Sequence, residues 1–139
     1  MKINFYYLAF LSVMLFACGD SDPDTSDCET DPAITVLENL QGTWMEDVDG
    51  DSETVTFNAD GTGSSTENSS FTESYEGFDY DTFTWGESSN ADFDFEVTWD
   101  FDQTNGPIFS LTLRYNAPEN LCDRMEIIDG FGNEFTLTK

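Results

Sequence analysis

The sequence predicts an all-β domain, a small antiparallel up-and-down barrel of eight strands preceded by one short helix. Three observations predict it. From Asp92 to Phe101 the residues Phe93, Phe95, Val97, Trp99 and Phe101 alternate without a break with Asp92, Asp94, Glu96, Thr98 and Asp100; a period of two marks a strand with one buried and one wet face. The pairs Asp49-Gly50, Asp60-Gly61, Asn105-Gly106 and Asp129-Gly130 punctuate such stretches and supply the backbone conformations of tight turns. Aromatic residues form 15% of the chain, 13 of them Phe, enough to build a core and too many for an acidic disordered tail.

In chain order, Asp31-Pro32 has the form of a helix N-cap followed by proline, and Ile34, Leu37 and Leu40 recur at spacing three. A short helix ending near Gln41-Gly42 is expected. A strand around Trp44 follows, then Glu53 to Asn58 with Val55 and Phe57, Thr62 to Thr66, and Tyr80 to Gly86 with Phe83 and Trp85. After the alternating Asp92 to Phe101 come Ile108 to Tyr115 with Phe109, Leu111 and Leu113, then Leu121 to Ile128 and Phe135 to Leu137. Eight strands suffice to close a barrel whose interior is either filled by side chains or holds one small ligand. The candidate lining is Trp44, Phe57, Phe83, Trp85, Phe93, Phe95, Val97, Trp99, Phe109, Leu111 and Leu113. Glu67 to Tyr80 interrupts the strand spacing with Phe71, Tyr75, Phe78 and Tyr80 among Ser and Glu. That composition suits a lid, an aromatic platform for sugars, or a segment folded back over the barrel rim.

Met1-Lys2 precedes an apolar stretch, Ile3 to Ala17, shorter than the roughly 20 residues a permanent spanning helix needs, and it reads as a secretion signal. It ends in Leu15-Phe16-Ala17-Cys18, which resembles the lipobox of bacterial lipoproteins. The resemblance implies a diacylglyceryl group on Cys18 and cleavage before it. The chain then divides into a signal peptide (1–17), an acidic tether (18–31) and a barrel domain (32–139). The aspartates of the tether resemble the signal that sends lipoproteins of Bacteroidetes to the outer face of the outer membrane, so a cell-surface location is expected rather than the periplasmic face. Cys28 and Cys122 remain, an even number in an exported chain, and are expected to form a disulfide.

Gly42-Thr43-Trp44, Phe57-Asn58-Ala59-Asp60-Gly61-Thr62-Gly63 and Leu137-Thr138-Lys139, together with Cys18 and Cys28, resemble in their order the lipocalin-like lipoproteins of Bacteroidetes. The resemblance implies a lipocalin-like barrel that binds a small apolar or amphipathic molecule. It also implies a late arginine over the Trp of Gly-x-Trp, for which Arg114 and Arg124 are the candidates.

With 4 basic and 29 acidic residues the formal charge is −25, which excludes nucleic acid as a partner, because phosphate contacts need Lys and Arg. The absence of His excludes Ser-His and Cys-His nucleophilic pairs and His-ligated zinc. Carboxylates are too abundant for any pair to signal catalysis, and a non-catalytic protein without a cofactor is expected. Asp47, Asp49, Asp51 and Glu53 place oxygens at every second position, the spacing of a calcium loop, and equally that of a solvated acidic turn. The competing functional reading is a surface module that binds a glycan or a protein through Phe71, Tyr75, Phe78 and acidic loops, with calcium as an aid.

Overall fold

The structure, a computed structural model, describes residues 34–101 and 109–139. They form helix α1 (Val36–Leu40) and the strands β1 (Gly42–Val48), β2 (Asp51–Phe57), β3 (Thr62–Ser65), β4 (Glu73–Tyr75), β5 (Phe78–Tyr80), β6 (Thr82–Glu87), β7 (Phe95–Phe101), β8 (Phe109–Asn120), β9 (Arg124–Asp129) and β10 (Glu134–Thr138). Eight strands close an antiparallel barrel in the order β1-β10-β9-β8-β7-β6-β3-β2, while β4 and β5 pair only with each other. The barrel is therefore the up-and-down meander read from the sequence, with a hairpin inserted between its third and fourth strands. None of the helices among the described residues is long and apolar enough to cross a membrane.

Alternation builds the wall. Val97 lies opposite Leu113 and Trp99 opposite Leu111 across the β7–β8 ladder, so the apolar residues of both strands share one face. Phe95, Val97 and Trp99 are fully buried, each such burial being worth about 2 to 3 kcal/mol. β1 turns into β2 through Asp49 (φ 56) and Gly50 (φ 90), two consecutive positive φ angles that match the twist of a tight hairpin. Gly63 stands opposite Phe83, and a β-carbon there would lie 2.1 Å from the Phe83 ring. Glycine is what lets that ring lie flat across β3.

The helix differs from its expected start. Its N-cap is Thr35 rather than Asp31, and residues 31–33 lie outside those described. The reason is a capping box: Thr35 Oγ1 accepts from Glu38 N at 3.2 Å and Glu38 Oε2 accepts from Thr35 N at 3.0 Å, satisfying two otherwise orphaned donors. The helix buries Leu40 at the end of the barrel where β1 starts and β8 turns into β9. The opposite end, which carries the β1–β2 turn and the segment from Thr66 to Asp81, is the mouth.

Candidate functional site

Six of the residues predicted to line the barrel do so: Trp44, Phe57, Phe83, Phe95, Val97 and Trp99 are all buried. A residue from outside the strands stands among them. Phe71, on the segment joining β3 to β4, is fully buried, and its ring centroid lies 5.3 Å from Phe57, 6.1 Å from Phe83, 5.4 Å from Tyr115 and 5.3 Å from Phe135. These are favourable aromatic separations. Of the three readings of its segment, a lid, an aromatic platform or a fold-back over the rim, Phe71 follows the last and goes further, a plug inside the barrel, because burying an aromatic ring among four others outweighs leaving it in an acidic loop.

The plug is hung on two acidic side chains that face inward. Glu46 and Glu53 are partners across the β1–β2 ladder, and both are buried. Glu46 Oε2 accepts from Ser69 Oγ at 2.9 Å and from Ser70 N at 3.0 Å, while its other oxygen accepts from Ser70 Oγ. Glu53 accepts from Thr66 Oγ1 and, at 3.1 Å, from Asn68 Nδ2. Those hydrogen bonds, Thr66 first, hold the Glu53 carboxyl below the ordinary glutamate value. From the far wall Trp99 Nε1 donates to the carbonyl of Phe71 at 3.0 Å. Buried acidic groups persist only when paired in this way. Neither Glu46 as a site residue nor an inward Glu53 was anticipated, although a signal existed: Glu46 shares the parity of Trp44, and Glu53 that of Val55 and Phe57.

The remaining predicted lining residues are less buried. Trp85, Leu111 and Leu113 are half-buried against the core. Phe93 precedes β7 in a turn, its N–H donating to the carbonyl of Asn90, so the strand begins three residues later than the alternation does. Phe109 is 48% exposed and Phe78 65%. At the mouth the β4–β5 hairpin leans on the end of β7, where Phe101 lies 5.1 Å from Tyr75, 4.5 Å from Tyr80 and 5.8 Å from Phe109. Burial raises the Glu73 carboxyl above its ordinary value. The chain has no Lys or Arg between Ile3 and Leu113, so the mouth strands β2 to β7 carry no basic side chain to balance their acids.

The closed end is sealed differently. Trp44 Nε1 donates to the carbonyl of Leu40 at 2.8 Å, and Lys139 Nζ sits 4.2 Å from the centroid of the Trp44 ring while donating to the carbonyl of Asn39 at 3.2 Å. The cation over this tryptophan is thus Lys139, not Arg114 or Arg124. Those two point outward, where Arg114 pairs with Glu96, and Arg124 with Glu119 and Glu126. Asn39 Nδ2 ties the helix to the β8–β9 turn through Asn120 Oδ1 and the carbonyl of Leu121, both at 2.7 Å. Cys122 follows in that turn; Cys18 and Cys28 lie outside the described residues.

The four acids whose spacing fits either a calcium loop or a solvated acidic turn do not converge on one point. Asp47 faces outward and caps its own turn, accepting from Gly50 N at 2.9 Å. Asp49 is a turn residue and Asp51 is exposed, whereas Glu53 is engaged inside the barrel. Among the described residues no group of three or more His, Cys, Asp or Glu side chains is arranged to hold a metal ion. An open groove of about 510 Å³ runs along β9 and β10, and none of the predicted lining residues borders it. Comparison with protein-family models, with curated proteins and with solved structures gave no match.

Proposed function

We propose that this is a lipid-anchored envelope protein whose lipocalin-like barrel is a non-catalytic binding module for a small apolar or amphipathic molecule. The observation that carries the proposal is the construction of the barrel's two ends. One is sealed by the helix and the packed Trp44 ring, and the other is occupied by a strandless segment, 66–72, that enters the aromatic interior on the Phe71 ring and on side-chain hydrogen bonds rather than on strand pairing. A chain without His and with its inward acids engaged in hydrogen bonds supports the non-catalytic reading. In this reading Cys18 carries the lipid, the acidic tether leads to the outer face of the outer membrane, and a Cys28–Cys122 disulfide fastens the tether to the closed end. Loop-closure entropy makes such a bridge worth about 4 to 5 kcal/mol.

Native mass spectrometry of protein purified from its own envelope tests the binding role: a stoichiometric apolar compound is expected, and its consistent absence would count against the module. Incorporation of an alkyne-labelled fatty acid, abolished by Cys18→Ala, tests the anchor. Alkylation of both Cys28 and Cys122 in unfolded, non-reduced protein would dispose of the bridge.

A second reading, a surface module for a glycan or a protein partner, is favoured by the exposure of Phe78 and Phe109 beside Tyr75 at the mouth. Glycan-array or pull-down binding that disappears with Phe78→Ala would support it.

A further inference from the structure

We infer that segment 66–72 occupies the barrel's own ligand position, and that the molecule it stands in for is an uncharged, ring-bearing apolar compound with a carbonyl oxygen. The inference rests on the binding role proposed above and names its ligand chemistry. Phe71 presents to the barrel what such a molecule would: a flat ring among Phe57, Tyr115 and Phe135, and a carbonyl oxygen held by Trp99 Nε1–H. The segment belongs to no barrel ladder beyond its first residue, so it can leave without breaking strand pairing; what holds it is the packing of the Phe71 ring and the hydrogen bonds to Glu46, Glu53, Trp99 and Ser65.

A second, independent observation points to the same place. Tyr115 is 1% exposed, its ring 5.0 Å from Phe95 and 5.4 Å from Phe71, and its hydroxyl has no hydrogen-bond partner. A buried hydroxyl without a partner costs stability. Burial, helped by the acids Glu73, Asp129 and Glu46, pushes this phenol well above the ordinary tyrosine value, so it remains a donor. With the segment withdrawn the barrel would offer three donors, Trp99 Nε1–H, the Ser65 hydroxyl that also reaches the Phe71 carbonyl, and Tyr115 O–H, and no cation. Arg114 and Arg124 are paired outside, and Lys139 is over Trp44 at the closed end. A fatty-acid carboxylate would enter the field of Glu46 and Glu53 with nothing to neutralise it. A carbonyl, which needs donors only, fits, with water at the open mouth replacing the segment's donors on Glu46 and Glu53.

The test uses the mature chain, Nile red as an uncharged fused-ring carbonyl probe, and dansylaminoundecanoic acid as its anionic counterpart. Ser69→Ala/Ser70→Ala removes both hydroxyl donors to Glu46 and raises the population of the open barrel, so Nile red should bind roughly tenfold more tightly than to the wild type. Adding Tyr115→Phe should weaken that binding roughly three- to tenfold while leaving Tm unchanged or higher, a split that a purely structural role would not produce. The anionic probe should bind neither protein. If the double substitution unfolds the chain, Ser70→Ala alone serves, since it keeps Ser69 Oγ and Ser70 N on Glu46. Equal binding of the two probes would overturn the carbonyl chemistry and leave the binding role standing. Binding of neither probe, in a protein that still carries a native compound, would overturn the placement of the ligand inside the barrel. An unchanged affinity with Tyr115→Phe would remove that hydroxyl from the site.

Discussion

The two ends of the barrel hold their aromatic residues by opposite means. At the closed end Trp44 is buried under Leu40 and capped by Lys139, with its one polar atom satisfied by the neighbouring backbone. At the mouth Phe71 is just as buried, but the segment that carries it is fixed by serine, threonine and asparagine side chains on two inward acids. Apolar burial is non-directional and lost only when the fold opens, whereas a hydrogen bond to a protein group exchanges readily for one to water or ligand, at a net cost near 1 kcal/mol. Phe71 is held by both kinds of contact but by no strand pairing, so the mouth should open at a lower free energy than the closed end.

The largest expected effect falls at the closed end. Trp44→Ala should cost about 4 kcal/mol, the scale of a fully buried aromatic truncated to alanine, read as a fall in the denaturant midpoint. A loss under about 1 kcal/mol would mean that this end is not the anchor of the fold. Glu46→Ala, which strands the donors of Ser69 and Ser70, should cost about 2 kcal/mol, with the loss confined in hydrogen exchange to 66–72 and its neighbours; loss of protection throughout the barrel would erase the distinction between the ends. Lys139→Gln should cost about 0.5 to 1 kcal/mol, as expected for an exposed cation over an aromatic ring.

The smallest effects are electrostatic, and they have opposite signs at the mouth. Because Glu53 has a depressed value when folded, its contribution is present above the ordinary 4.5 and lost as pH falls through the depressed value. The Glu53→Gln variant should therefore be less stable than wild type at pH 7, with the gap closing in acid. Glu73 is raised instead, so its contribution is complete below 4.5 and lost as pH rises through the raised value. Glu73→Gln should raise Tm slightly at pH 7 and leave it unchanged below 4.5. The two thermal profiles taken against pH check both signs.

The fold was legible because period two survives in β2, β6, β7 and β8, and because Asp49-Gly50 and Asp60-Gly61 mark their turns. The site was legible only in part. Alternation places Phe95, Val97 and Trp99 inside, but it cannot report where a strand starts, so it also points Phe93 inward although that residue belongs to a turn. Phe71 had no periodic neighbours, and its burial depends on long-range partners that no local pattern contains. Lys139 could not be assigned to Trp44 without the closure of β10 on β1, a pairing of the barrel's first and last strands. Glu46 and Glu53 were readable in principle, being acids in phase with buried residues, but the density of carboxylates in the chain hid them.

Amide hydrogen exchange of the mature chain compares the two ends most directly. The amides of Ser70 and Phe71, bonded to Glu46 and to Ser69 Oγ, should open at a free energy well below that of the Trp44 and Val55 amides in the β1–β2 ladder, whose exchange should track global unfolding. Equal protection at the two ends, with both moving together as denaturant is added, would contradict a releasable plug.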